Sequence, residues 1–274
     1  MSKIAYDPVK DRFAAIIRRS SFLRTLFYKL LDLFFLRSWY VRKLIREYAR
    51  PFDNRGEWHL LDAGTGFGQY DRFLLTSFDN IRIEGIDVKR DYIEDCRDYF
   101  RDQIRRDKIR FKKRDLLDIE YQEEFDFTIC IDVLEHITED EKAIANLARA
   151  LKPGGYFLMH SPSHHSEQDA GGEDSFVGEH ARTGYAKEDI TAKIERAGLE
   201  PVEVNYTYGK PGHVAWVMLI KQPMLLLNTI NLWALPLLAL YYLPVLPLSL
   251  LLMRLDMVGA NDWGTGIYAL ARKP

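Results

Sequence analysis

The stretch Leu60-Leu61-Asp62-Ala63-Gly64-Thr65-Gly66-Phe67-Gly68-Gln69-Tyr70 decides the fold. An apolar run of strand length ends in three alternating glycines and passes into a segment with helical periodicity. Glycines are needed in such a turn because a ligand approaches the backbone closely and a side chain would block it. Amides at the start of the following helix then face the ligand's polar groups. A dinucleotide-binding turn would carry glycine at its first, third and sixth positions. Here the sixth is Gln69, and the pattern is Gly-x-Gly-x-Gly with Asp62 two residues ahead.

On either side of this turn, short apolar runs at 58–63, 81–88, 109–111, 125–133 and 155–160 alternate with helix-period stretches at 69–77, 91–106, 139–151 and 187–197. Such alternation predicts an α/β fold, a parallel sheet with helices on both faces. Phe127-Thr128-Ile129-Cys130-Ile131 is apolar on both faces, as a central buried strand should be. Thr138-Glu139-Asp140-Glu141 reads as a capping box opening one helix, which Lys152-Pro153-Gly154-Gly155 closes.

Two carboxylates stand where strands end. Asp87 closes Ile83-Glu84-Gly85-Ile86-Asp87-Val88, nineteen residues beyond Gly68. It suits two hydrogen bonds from vicinal ribose hydroxyls, or equally a helix N-cap. Asp115, in Arg114-Asp115-Leu116-Leu117, can accept from an adenine amino group while Leu116 packs on the ring.

These residues, with Leu134-Glu135-His136-Ile137 after the central strand and Leu151-Lys152-Pro153-Gly154-Gly155, resemble class I S-adenosylmethionine-dependent methyltransferases. The likeness is closest to the small-molecule branch that includes quinone-biosynthesis methyltransferases, and it covers about residues 55–208 with a last strand at 264–271. The resemblance implies a doubly wound, mostly parallel sheet of seven strands in the order 3-2-1-4-5-7-6, the last antiparallel. It implies S-adenosylmethionine as cofactor. Asp62, Gly64, Gly66 and Gly68 would form the turn that passes its methionine and ribose. Asp87 would hold the ribose, Asp115 and Leu116 the adenine, and Asp132 would sit beside the sulfonium end.

Methyl transfer asks chiefly for alignment, since the sulfonium is already an activated electrophile. A hydroxyl acceptor also needs a base, and His136, His160, His164, His165 and His180 are candidates. His136 follows the carboxyl end of the central strand, where α/β sites lie, although it also belongs to a structural signature of the family. The loop from Ser161 through His164-His165 to Gly178-Glu179-His180 and Tyr185 reads as a substrate lid, as a solvated loop, or as a metal site without fixed ligand spacing. No metal is expected. The Asn/Asp-Pro-Pro-Tyr/Phe element of enzymes that methylate base nitrogens is missing, Ile131-Asp132-Val133-Leu134 standing in its place. No nucleic-acid partner is expected either.

Composition is that of one globular unit with attachments: 274 residues, 47% apolar, net charge −2. Two cysteines suit a reducing cytosol, and the first 21 residues lack the apolar stretch of a signal peptide. Residues 1–50 hold twelve Lys and Arg against four Asp and Glu, a balance of +8, which leaves −10 for the rest. From Phe22 to Tyr48 apolar residues recur at helical spacing with Arg24, Lys29, Arg37, Arg42, Lys43 and Arg46 interleaved, up to Pro51. Such a basic amphipathic region, at 1–54, suits a membrane surface, or else covers the sheet of the methyltransferase domain at 55–274.

Within that domain an apolar insertion spans about 214–258, and the 32 residues 222–253 carry no charge. Pro236, Pro244 and Pro247 argue against one unbroken helix, and two crossings of a bilayer need more residues than are present. Two broken helices lying in the membrane interface are expected, or a greasy cap over a pocket or a dimer interface. The expectation is a cytoplasmic enzyme, peripherally or monotopically membrane-associated, that methylates a lipid or other apolar small molecule. A soluble sugar or metabolite as acceptor, with a homodimer formed through the insertion, is the alternative, and an inactive membrane adaptor is a third.

Overall fold

A computed structural model describes residues 20–169, 181–230 and 235–274. Its sheet has seven strands in the order β3-β2-β1-β4-β5-β7-β6. They are β1 (Trp58–Ala63), β2 (Ile81–Asp87), β3 (Ile109–Lys113), β4 (Phe125–Ile131), β5 (Leu151–Pro162), β6 (Glu200–Thr207) and β7 (Gly266–Arg272). The first five pair in parallel, and β7 runs antiparallel to both β5 and β6. The expected order and the reversed last strand are both present.

Alternate residues of each strand feed two separate cores, because helices cover both faces. Trp58, Leu60, Phe127, Ile129 and Leu158 face one side; Leu61, Ala63, Cys130, Phe157 and Met159 face the other. The second side is closed by α6 (Asp140–Ala150) and α7 (Lys187–Arg196), through Ala143, Ile144, Leu147, Ile190 and Ile194. The first is closed by α3 (Gln69–Ser77), α4 (Arg90–Tyr99), followed by the short α5 (Arg101–Arg105), and by α2 (Leu36–Asp53), which buries Leu36, Val41, Leu44, Ile45 and Ala49. From residue 36 on, the N-terminal region thus covers the sheet. Its first helix, α1 (Ser21–Phe34), is capped by Ser20, whose hydroxyl accepts from the Leu23 amide at 3.4 Å.

Three local expectations change. Pro51 does not end its helix but lies in the last turn of α2, which runs on to Asp53. Thr138 forms no capping box: α6 starts at Asp140 with Glu139 as an N-cap that makes no side-chain bond. The Asp140 carboxylate instead turns inward, accepting from Tyr185 Oη and Lys193 Nζ, both at 2.8 Å, and pairing with Arg182. The insertion is two helical segments, as expected, but the second runs through Pro244 and Pro247 instead of breaking there. It is a helical hairpin of α8 (Lys210–Trp216), a π-turn (Val217–Lys221) and α9 (Gln222–Ile230), packed against α10 (Leu235–Asp256).

Pro236 lies in the first turn of α10, where no amide partner is needed, and Pro244 and Pro247 lie inside the helix. The carbonyls that these two prolines leave without an i+4 donor belong to Leu240 and Leu243. Those residues are 68% and 71% exposed, so water can serve these carbonyls and the helix continues. Across the hairpin, Tyr241 Oη donates to the Met218 carbonyl at 2.9 Å and Tyr242 Oη to the Leu219 carbonyl at 2.7 Å. These bonds serve carbonyls that the π-turn has displaced from the regular ladder. Thr207 pairs with Gly266, so the hairpin leaves and re-enters the sheet at one place, beside the carboxyl end of β5.

Candidate active site

The chain turns after β1 at three glycines with positive φ: Gly64 at +91°, Gly66 at +52° and Gly68 at +76°. They do different work. A Cβ on Gly64 would run into Val133, and one on Gly68 would meet the Phe100 ring at 2.6 Å, so both are needed for packing. A Cβ on Gly66 would have nothing nearer than the Gly64 carbonyl at 4.0 Å. Gly66 therefore faces open space at the carboxyl end of β1, the place that a ligand's backbone-hugging portion would fill.

Beneath the turn lie two buried carboxyls. Asp62 is 2% and Asp71 0% exposed, and the Thr65 hydroxyl donates to Asp71. Burial, and for Asp62 the neighbouring Asp71 carboxyl, push both above the usual carboxylate range. Among the described residues Asp62 Oδ2 has no hydrogen-bond partner. A cationic ligand above this pair would offset its burial cost, as the ammonium and sulfonium of S-adenosylmethionine would.

Asp87 combines both readings of its sequence position. Its Oδ2 accepts from the Gly66 amide at 3.0 Å and its Oδ1 from the Lys89 amide at 2.8 Å. It thereby ties the glycine turn to the start of α4, while the remaining lone pairs can still accept from a diol. An open groove continues past it, lined by Val88, Lys113, Arg114 and Asp115. Asp115 is exposed and accepts from the Leu117 amide at 2.9 Å, shaping the groove's end. Leu116 is buried below, and its carbonyl accepts from Asn146 Nδ2 at 2.8 Å.

Asp132, at φ +53° just past β4, holds the opposite end. His160 Nδ1 lies 2.7 Å from its Oδ1, and the Arg37 guanidinium donates to its Oδ2. His160 is 4% exposed and its Nε2 lies 3.0 Å from Thr207 Oγ1. Burial opposes charge on Asp132, but Arg37 and His160 outweigh it and hold the carboxyl well below the usual range. Asp132 is thus a fixed anion, and a poor proton acceptor. Next to it, Glu135 is pushed up to about 8 by burial and by the Asp132 charge, and accepts from Ser161 Oγ at 2.8 Å.

The candidate bases are dispersed. His136 lies exposed on the short turn Leu134–His136. His164 and His165 follow β5 with ring centroids 3.8 Å apart, and His165 also meets Tyr206 and Trp263 at 5.2 and 5.8 Å. Burial and the His164 charge lower the pKa of His165. His180 and Glu179 lie outside the described residues. Among the described residues no three His, Cys, Asp or Glu side chains gather as metal ligands would.

Reading the sequence missed the contribution of the N-terminal helices, whose arginines it took for surface cations. Arg37, on α2, reaches Asp132. Arg24, 6% exposed on α1, donates to the Phe67 carbonyl in the glycine turn at 2.9 Å and to the Asp95 carbonyl at 2.8 Å, and Tyr28 Oη donates to the same Phe67 carbonyl. Gln69 Nε2 bridges to Asp32 and Ser38, both at 2.9 Å. The only available signal was that Arg24 and Tyr28 fall one helical turn apart, on the side opposite Phe22 and Leu26.

Comparison with known proteins agrees with this geometry. The family model for a methyltransferase domain matches residues 55–198, more than half of the chain. The chain is 24% identical over 113 residues to O-methyltransferase resE of Aspergillus sclerotiorum, covering 41% of this chain and 42% of that protein. It is 30% identical over 97 residues to an O-methyltransferase of Pyrenophora dematioidea, covering 35% of this chain and 36% of that one. The chain thus spans less than half the length of these curated relatives. A putative sarcosine dimethylglycine methyltransferase from Galdieria sulphuraria superposes with a TM-score of 0.61 at 19% identity, covering 86% of each chain. The [4+2]-cyclase SpnF superposes with a TM-score of 0.58 at 22% identity, covering 85% of this chain and 81% of its own. These two likenesses establish the fold, and the family match with the cradle at Gly66 establishes the lineage: the chain belongs to the methyltransferase-domain family, of the class I S-adenosylmethionine-dependent kind.

Proposed function

We propose that this protein transfers a methyl group from S-adenosylmethionine to a hydroxyl of a lipid or other apolar small molecule that it meets at a membrane surface. The observation that carries the reading is the open Cβ direction of Gly66 between two carboxylate-bearing strand ends, with an apolar hairpin rooted at the same edge of the sheet. S-adenosylmethionine would supply an activated methyl on a sulfonium. The chain's own residues have four tasks. The turn at Gly64–Gly68 presents its backbone, Asp87 receives the ribose diol, and the groove at Asp115 receives the base. Asp132, held anionic by Arg37 and His160, stands by the positive charge.

A base for the acceptor proton needs a pKa near the working pH. That excludes Asp132, whose pKa is far too low, and leaves as candidates the imidazoles His164 and His165 that follow β5. The oxygen acceptor is supported by the curated relatives, which are O-methyltransferases. The apolar acceptor is supported by α10, only 22% of whose apolar window is buried. A cytoplasmic, peripherally membrane-bound enzyme is the corresponding location.

The test incubates the purified chain with isotopically labelled S-adenosylmethionine and a membrane lipid extract. The expected result is a lipid-soluble species heavier by one labelled methyl. Label appearing only in water-soluble metabolites would move the acceptor to the soluble class, and a dimer formed through the hairpin would accompany that outcome.

A further inference from the structure

Both faces of α1 are informative. The inward face carries Arg24 and Tyr28, which hold the Phe67 carbonyl of the glycine turn. The outward face carries Phe22, Leu26 and Leu30, which are 74%, 43% and 41% exposed. Along α10 a second outward stripe recurs at helical spacing: Leu237, Leu240, Leu248, Leu251 and Leu255, with Leu243 the most exposed of its leucines. The helices meet where the Phe34 and Tyr242 rings lie 5.8 Å apart, so the two stripes belong to the same end of the molecule.

The charges on these helices are sorted. Each has one acidic residue, and both are turned inward: Asp32 pairs with Arg42 at 2.8 Å, and Asp256 is 2% exposed, accepting from Tyr40 Oη at 2.9 Å and the Gly212 amide at 3.0 Å. The charges left outward are the cations Lys29 and Arg254. Two leucine-bearing helices whose own outward charges are both positive complement an anionic lipid surface. They complement a second copy of themselves poorly, since those cations would face each other.

We infer that the outward faces of α1 and α10 form one docking surface for anionic phospholipid membranes, and that α1 couples docking to the cofactor site through its hold on the Phe67 carbonyl. The docking half stands on the helices alone; the coupling half rests on the methyltransferase reading. If α1 is steadied by the membrane, the turn it grips is steadied too. Linkage then requires the cofactor to strengthen membrane binding by the same factor as the membrane strengthens cofactor binding.

The experiment titrates the full chain with S-adenosylhomocysteine, with and without vesicles of phosphatidylcholine mixed with phosphatidylglycerol, and measures vesicle co-sedimentation with and without S-adenosylhomocysteine. The expected result is binding to the mixed vesicles that weakens with salt, little binding to phosphatidylcholine alone, and a reciprocal gain on the order of fivefold in both affinities. Leu240→Glu with Leu243→Glu should abolish co-sedimentation with an unchanged thermal midpoint and unchanged vesicle-free affinity for S-adenosylhomocysteine. Tyr28→Phe should keep co-sedimentation and reduce the reciprocal gain towards one.

Equal binding to both vesicle types, no binding, or a dimer that buries the leucines would overturn the docking surface. Docking with no gain in cofactor affinity would overturn the coupling. Absence of S-adenosylhomocysteine binding under every condition would instead refute the methyltransferase reading, and the sedimentation arm would still report on docking.

Discussion

In the glycine turn, Gly64 and Gly68 are pressed against Val133 and Phe100, so a single added methyl has nowhere to go. Along α10, Leu240 and Leu243 project into solvent and a whole side chain can change without disturbing a neighbour. The turn is constrained by shape on every side except the one at Gly66, where space is left open. The helix is constrained by chemistry on the side that faces out and by packing on the other, most tightly at Leu238, Val245 and Met253. Where a protein is intolerant of volume, its fold is being specified; where it is tolerant of volume but carries an unusual composition, the composition points to a partner.

The largest expected effect separates two glycines within the turn itself. Gly64→Val should cost about 3 kcal/mol or more, from the clash with Val133 added to a positive φ, and should abolish cofactor binding. Gly66→Leu should cost only about 1–2 kcal/mol, for its positive φ alone, yet lower S-adenosylhomocysteine affinity by at least about tenfold. Urea unfolding and calorimetric titration read the two quantities separately. A Gly66→Leu protein that binds as its parent does would mean that the open space serves another ligand.

A smaller effect tests the charge at the far end of the site. Asp132→Asn leaves the Arg37 cation without its carboxylate and should cost about 1.5–3 kcal/mol near neutral pH, with weakened cofactor binding. Because the folded carboxyl sits below its unfolded value, its contribution is present above the ordinary carboxylate range and is lost as pH falls through the folded value. The gap in stability between parent and variant should therefore narrow on strong acidification, measured as urea midpoints across the acid range.

A third effect has the opposite sign with pH. Glu135, 1% exposed and raised from 4.5 to about 8, binds a proton more readily folded than unfolded. Its contribution is full below the unfolded value and is lost as pH rises through the folded one, so wild-type stability should decline from about pH 4.5 to about 8. Glu135→Gln should flatten that decline and raise the thermal midpoint at pH 8 while leaving it nearly unchanged at pH 5. The part of the slope that survives the substitution belongs to the buried pair Asp62 and Asp71, and a slope left unchanged would assign all of it to them.

Much of the fold was legible because strand and helix periods are local properties. The α3 span 69–77 and the β1 span 58–63 coincide with the observed elements, and the motif order yielded the sheet order through a family resemblance. The positions proposed for the cofactor were legible for the same reason: Gly66, Asp87 and Asp115 lie at strand ends that the sequence marks. The acceptor side was not, because it is assembled from segments far apart in the chain. Nothing near Asp132 in sequence announces Arg37, 95 residues away, or Thr207, which meets His160 from 47 residues away. Prolines misled the reading of α10, since a helix accepts proline wherever the carbonyls it leaves unpaired can reach water.

By itself, then, the sequence determined the alternation of strands and helices, the glycine turn and its flanking carboxylates, and an uncharged insertion of 32 residues. Only the tertiary structure decided which arginines turn inward, that α1 and α2 close over the site, and that the insertion is a hairpin lying along the body with its leucines outward. The physical reason is that local periodicity is written in residues a few positions apart. The partner of a buried charge is chosen by the packing of the whole chain, which no short stretch contains.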